Sequence, residues 1–212
     1  MRLMTSHVKF PLRTAKAAGT RAAVLTAAHR LFLEQGYAAT TAQQIAEAAG
    51  VSRATVFNSV GGKVALLRAC YDVATVGDDE PVPLPQRAGL LAVRAAEDTS
   101  TAIALYAKVV TEVSGRLSGI YEVFRAAATN DAEIRASWEQ VQAERLGGCN
   151  GFVRILEEKG RLRRGVDRRE AGDVVWTFAD ASLYHRLAVE RGWSPRKFER
   201  WLGRQLASYL LD

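Results

Sequence analysis

The stretch from Tyr37 to Lys63 constrains this chain more than any other, because it reads as two short helices separated by a single glycine. Thr41 is suited to cap the first helix, and Gln44, three residues on, can reach back to close a capping box. Ile45, Ala46 and Ala49 then share one face at helical spacing. Gly50 supplies the left-handed backbone that ends a helix at low cost. Val51 turns inward, Ser52 caps the next helix at once, and Val56 returns to the same small core. Arg53, Ala54, Thr55, Phe57, Asn58 and Ser59 are left on or near the outer face. This is the pattern of a helix-turn-helix, whose second helix, about residues 52–59 here, can enter the DNA major groove. An ordinary helical hairpin with a glycine turn shares the local signature, so the flanks must decide between them.

Charge is the first flank observation. Of the chain's 29 Lys and Arg and 23 Asp and Glu, residues 1–76 hold nine basic and three acidic residues, and residues 77–212 hold twenty of each. The whole excess of +6 therefore lies on the helix-turn-helix side. A locally basic module favours a polyanionic partner through counterion release and steering, although a basic face can also be simply solvated.

At 212 residues, 48% of them hydrophobic, the chain can bury a proper core. No apolar run is long enough to span a membrane and no apolar signal core opens the chain. Cys70 and Cys149 lack metal or redox spacing and fit small buried side chains of a reduced, cytoplasmic protein.

Along the chain, residues 1–19 show no clear periodicity and read as a flexible basic arm, with Met4 a second candidate start. The first firm helix is expected over Thr20 to Gln35, where Val24, Ala27, Ala28, Leu31 and Phe32 form one stripe and Gly36 stops it. A fourth helix should open at Lys63 and carry Leu66, Leu67, Cys70 and Tyr71. Residues 77–85, with an acidic triplet and three prolines, read as a hinge loop. Beyond it, helical stripes are expected near 86–97, 99–116, 118–129, 132–159, 168–190 and 195–211. In the last, Ser194 is the cap, Pro195 the first residue, and Trp193 is placed to staple onto Phe198. No stretch alternates as a strand, so the chain reads as all-α. The division expected is a helix-turn-helix domain at 20–64, a connecting helix and hinge at 65–85, and a larger helical domain at 86–212.

With the helix ending at Gly36-Tyr37, the helix-turn-helix and the Lys63 helix taken together, residues 20–71 resemble the tetracycline-repressor (TetR) family of transcriptional regulators. The stretch Glu190-Arg191-Gly192-Trp193-Ser194-Pro195 followed by Trp201-Leu202 is similar to the C-terminal part of one branch of that family. The resemblance implies a homodimeric, ligand-responsive regulator, most simply a repressor, that binds a pseudo-palindromic operator on double-stranded DNA. It implies DNA contacts at Thr41, Ser52, Arg53, Ala54, Thr55, Phe57, Asn58 and Lys63. Thr41 and Lys63 would meet phosphate, and Arg53, Thr55, Asn58 and Ala54 the base edges. It also implies that helices near 168–190 and 195–211 pair between subunits, with Val175, Phe198, Trp201, Leu202, Leu206 and Tyr209 in the interface; the same apolar faces suit an internal core.

The sequence departs from the family pattern where Phe57 replaces a usual tyrosine, Val60 a usual phenylalanine, Gly62 a common serine and Val64 a common glutamate. Those departures leave open a helical ligand-binding or interaction protein whose helix-turn-helix has lost specific operator binding.

Tyr106, Tyr121, Phe124, Trp138, Phe152, Trp176 and Phe178 are the candidates to line a cavity for a hydrophobic or aromatic effector. His7, His29 and His185 are isolated, and Asp180 and His185 lie five apart on a helix, a poor spacing for a catalytic pair. With no phosphate-binding loop, zinc-ligand set or nucleophile elbow, neither catalytic residues nor a metal or other cofactor are expected.

Overall fold

The computed structural model describes residues 9–80, 82–160 and 162–212. The helices are α1 (Lys9–Ala39), α2 (Ala42–Ala49), α3 (Arg53–Val60), α4 (Lys63–Val76), α5 (Ala88–Ala95), α6 (Thr99–Ala127), α7 (Ala132–Lys159), α8 (Arg168–Phe178), α9 (Ala181–Tyr184) and α10 (Pro195–Leu210). A π-helical turn, His185–Glu190, continues α9, and a single 3-10 turn, Leu84–Gln86, precedes α5. The described residues contain no strand, as an all-α fold requires. The chain divides into two compact units, Met1–Cys70 and Tyr71–Asp212, with the division inside α4.

In the first unit, α1 starts at Lys9, well before the expected Thr20. The part of the expected arm at residues 1–8 lies outside the described residues. Thr20 is an interior helical residue: its hydroxyl donates back to the Lys16 carbonyl at 3.0 Å. Ala15, Ala17 and Ala18 explain the extension, since alanine is the strongest helix former and needs no apolar stripe to propagate a turn. Val24, Ala28 and Phe32 are fully buried along the inner face. The helix breaks at Gly36, whose φ of 79° a side chain would resist.

The second unit is built around α6, against which α5, α9 and α10 pack, while α7 packs mainly on α8. Two boundaries differ from the sequence expectation. Residues 99–116 and 118–129 are not separate helices, because α6 runs unbroken for 29 residues through Gly115 and Gly119. Leu117, Ser118, Ile120 and Tyr121 are buried there, and that burial outweighs the helix-breaking tendency of glycine. Gly115 is small for packing: a Cβ on it would sit 3.4 Å from the Tyr184 hydroxyl.

Conversely, 168–190 is not one helix. It stops at Phe178, and Asp180 caps a new helix by accepting from the Ser182 N–H at 2.8 Å. At the C-terminus Ser194 caps α10 as expected. Trp193 packs edge-on against Trp201, at 6.1 Å between ring centres, one turn further along than the staple predicted on Phe198.

Candidate nucleic-acid interface and cavity

In the first unit, the turn into α2 is fixed before any partner is considered. Thr41 accepts from the Gln44 N–H at 3.2 Å, and the Gln44 side chain reaches back to the Thr41 N–H at 2.8 Å, closing the capping box. Gly50 takes φ 67° and its N–H meets the Ala46 and Glu47 carbonyls. Ser52 caps α3 by accepting from the Thr55 N–H at 3.0 Å. Such caps are each worth about 1 kcal/mol. At the far end of α3, Arg21 donates to the Ser59 carbonyl at 3.1 Å, a cation placed on the negative end of a helix.

Thr40 is the residue the sequence reading missed. It is completely buried, and its hydroxyl lies 2.8 Å from the Gly36 carbonyl and 3.2 Å from the Leu31 carbonyl while accepting from Gln35 at 3.3 Å. It ties the broken end of α1 to the start of α2. A signal was available: in an extended linker neighbouring side chains point opposite ways, so with Thr41 outward as the cap, Thr40 must point in.

On α3 only Val56 is buried. Ser52, Arg53, Ala54, Phe57 and Asn58 are exposed and Thr55 half-buried, its hydroxyl 2.8 Å from that of Ser52. Phe57, with 66% of its surface exposed, is the most exposed large apolar side chain among the described residues. Thr41 is exposed at the start of α2. Lys63 is held from the opposite direction, its ammonium 3.3 Å from the Ala38 carbonyl and 4.1 Å above the Tyr37 ring. The structure therefore gathers a capped, polar and basic helix start beside a second capped helix N-terminus.

The second unit holds an open-sided cavity of about 950 Å³ lined by its own residues. Of the seven aromatic residues expected to line a cavity, Tyr106 and Phe152 do so, stacked at 3.8 Å between ring centres. Tyr121, Phe124, Trp138, Trp176 and Phe178 are not among the lining residues. Tyr121 and Phe124 pack against Trp138 in a separate cluster, and Phe178 packs on Trp201. An aromatic residue on an amphipathic helix serves core or cavity equally well, and only the packing partner decides.

The remaining walls are chiefly aliphatic, with Val93, Val110, Leu117 and Val141 buried at the surface of the cavity. Burial pushes the Tyr106 phenol well above its ordinary pKa, so it stays protonated, and its nearest polar neighbour is the Cys149 thiol at 3.8 Å. At one side stands Arg145, whose guanidinium donates to the Tyr121 hydroxyl at 3.1 Å and the Trp176 carbonyl at 3.1 Å and pairs with Asp180 at 3.1 Å. Tyr121 in turn donates to Asp180 at 2.6 Å. This network was not foreseen, since its members come from three distant segments.

The residues expected at a dimer interface divide by their burial within the chain. Val175, Phe198, Leu202 and Leu206 are fully buried within the single chain, on the inner faces of α8 and α10. A side chain with no accessible surface has none to offer a second subunit. Trp201 and Tyr209 are half-buried and keep an outer face.

Comparison with known proteins gives three kinds of match. Residues 24–70 match the family described as bacterial regulatory proteins, tetR family. An uncharacterized HTH-type transcriptional regulator, YdeS of Bacillus subtilis (strain 168), is 26% identical over 171 residues, covering 81% of this chain and 79% of that protein. Among solved structures, NalD, the secondary repressor of the MexAB-OprM multidrug efflux pump in Pseudomonas aeruginosa, superposes with a TM-score of 0.67 at 22% identity, over 91% of this chain and 96% of its own. FadR from Bacillus subtilis, in complex with stearoyl-CoA, superposes with a TM-score of 0.66 at 16% identity, over 88% of this chain and 97% of its own.

Proposed function

Because residues 24–70 make this chain a member of the tetR family of bacterial regulatory proteins, we propose that it is a ligand-responsive repressor acting in the cytoplasm as a homodimer on a pseudo-palindromic operator. The observation that carries the reading is α3: capped by Ser52, anchored from below by Val56 and Arg21, and presenting Arg53, Ala54, Phe57 and Asn58 outward. In this reading α3 enters the major groove. Arg53 takes guanine O6 and N7, worth about 1–3 kcal/mol of discrimination, while Thr55 and Asn58 read neighbouring edges. Thr41, with the N–H groups at the start of α2, takes a phosphate. Lys63 swings from the Ala38 carbonyl to a second phosphate, a cheap exchange for a flexible ammonium.

The cavity in the second unit is the effector site in this reading, and its aliphatic and aromatic walls suit a hydrophobic or aromatic molecule. Continuous α4 starts at Lys63 and supplies Tyr71, Thr75 and Val76 to the cavity wall; in this reading it is the element that transmits occupancy. Effector release of DNA requires the ligand to favour one conformation, a coupling of about 1–3 kcal/mol in regulators of this type. The subunits pair through the outer faces of α8 and α10, where Trp201 and Tyr209 keep accessible surface.

A gel shift on DNA flanking its own gene, at several salt concentrations, tests the DNA half of the proposal. The wild type is expected to prefer one site over competitor DNA at moderate salt, and Arg53→Ala to lose that preference while retaining weak salt-sensitive binding. A wild type without any sequence preference overturns it.

A further inference from the structure

One side of the cavity is formed by Arg145, a donor whose charge is already balanced by Asp180, and this restricts what can be seated there. Arg145 is the buried cation, its side chain 14% exposed, and Asp180, 22% exposed, sits opposite it at 3.1 Å. Both oxygens of Asp180 are used, one by the Ser182 N–H and the other by Tyr121 and Arg145. The Tyr121 hydroxyl is saturated as well: it donates to Asp180 and accepts from Arg145 and from Gln142 at 3.3 Å. Every acceptor of the cluster therefore already has a donor within the protein.

Donors do remain. The Nε–H of Arg145, which lines the cavity, has no hydrogen-bond partner among the described residues; the Trp176 Nε1–H is also without an acceptor, but Trp176 does not line the cavity. One turn along α7 from Arg145, the Cys149 thiol is the hydrogen-bond partner of the Tyr106 hydroxyl, and a thiol is a weak acceptor.

From this geometry we infer that the cavity takes an uncharged molecule with an apolar body and one hydrogen-bond-accepting oxygen, a ketone or ester rather than an acid or an amine, with that oxygen seated on Arg145. The inference rests on the reading of this cavity as the effector site. A carboxylate seated on Arg145 would bring a second negative charge beside Asp180, which already balances that guanidinium, so its desolvation would go largely unrepaid. An ammonium would face the guanidinium itself. The exposed charges among the lining residues, Asp72, Glu144 and Glu158 against Arg94 and Arg154, are mixed and give no strong field to steer either ion inward. A neutral oxygen meets the unused donors and leaves the pair intact, and the apolar body replaces water against Val110, Leu117 and Phe152.

A matched series with one body tests this: 6-phenylhexan-2-one, 6-phenylhexanoate, 6-phenylhexylammonium and hexylbenzene, each titrated calorimetrically into the full chain at neutral pH without DNA. The ketone is expected to bind about tenfold more tightly than each of the other three, the worth of one good hydrogen bond against the hydrocarbon and of an unbalanced charge against the ions. Arg145→Lys keeps a cation opposite Asp180 but removes the Nε–H; it is expected to erase the ketone's advantage over hexylbenzene and leave hexylbenzene binding unchanged. Should that variant fail to fold, by circular dichroism, the wild-type series decides alone. Tightest binding by the carboxylate or the amine, equal binding of ketone and hydrocarbon, or no binding by any of the four overturns the inference. Operator release is read separately by gel shift: a ketone that binds without releasing DNA upholds the ligand class and overturns the effector role of the cavity.

Discussion

Single side chains carry much of the behaviour of the first unit. His29 is half-buried on α1, and burial holds its imidazole below the ordinary value of 6.5. The unfolded chain takes up a proton as pH falls through about 6.5 while the folded chain resists it, so the stability lost on acidification scales with that difference. Denaturant titrations at about pH 7.5 and pH 5.5 should therefore show wild type losing more stability than His29→Gln across the interval. An identical loss in both proteins would remove His29 from the account.

The buried cysteines behave in the opposite sense. Burial pushes the Cys70 thiol up to about 12, so it stays protonated and inert. Cys70 and Cys149 were both legible as buried small residues. Thr40 was not read so: its neighbour Thr41 satisfies every sequence rule for a cap, and the inward turn of the residue before it follows only from the alternation of side chains along an extended linker.

At the scale of elements, legibility followed the range of the interactions that define each boundary. The helix-turn-helix is set by caps and one left-handed glycine within 25 residues, all local chemistry, and its boundaries came out as read. The run of α6 through Gly115, and the break between α8 and α9, are set by contacts distant in sequence. Gly115 lies against Tyr184, and Asp180 is held by Tyr121 and Arg145.

Glycine again decides how closely α7 and α8 pack. A Cβ on buried Gly172 would lie 2.0 Å from the Asn150 Oδ1, so that side chain must be displaced before alanine fits. Gly172→Ala is expected to destabilise the protein by about 1 kcal/mol or more, against the usual gain of alanine over glycine in a helix. Asn150→Ala in the same chain should restore that gain. Chemical denaturation of the two single variants and the double one forms the cycle, and additive effects would rule out the contact.

On the scale of the whole molecule, the segregation of charge separates two tasks. The basic excess sits with the helix-turn-helix and the balanced remainder with the cavity, a division visible in the sequence before any coordinate. The faces used for assembly were less legible. Apolar periodicity marks α10 as amphipathic, yet Phe198, Leu202 and Leu206 turn inward, and the outer surface is left to half-buried aromatics such as Trp201. Interfaces are enriched in such residues. Light scattering at micromolar concentration should give the mass of two chains for wild type and of one for Trp201→Glu, with the helical circular dichroism spectrum unchanged. A wild-type monomer would end the homodimer proposal.

The α7 wall of the cavity carries one more consequence. Gly147 and Gly148 both line the cavity, and a Cβ placed on either meets nothing within 4 Å. Helix positions that line a binding space and leave room for a new side chain are dials rather than fixed parts. Single-base changes at these codons would add a side chain at the wall of the cavity without a clash. A lineage of such proteins can thus drift from one molecule to another in small selectable steps, and a protein engineer has the same two positions at which to retune the response.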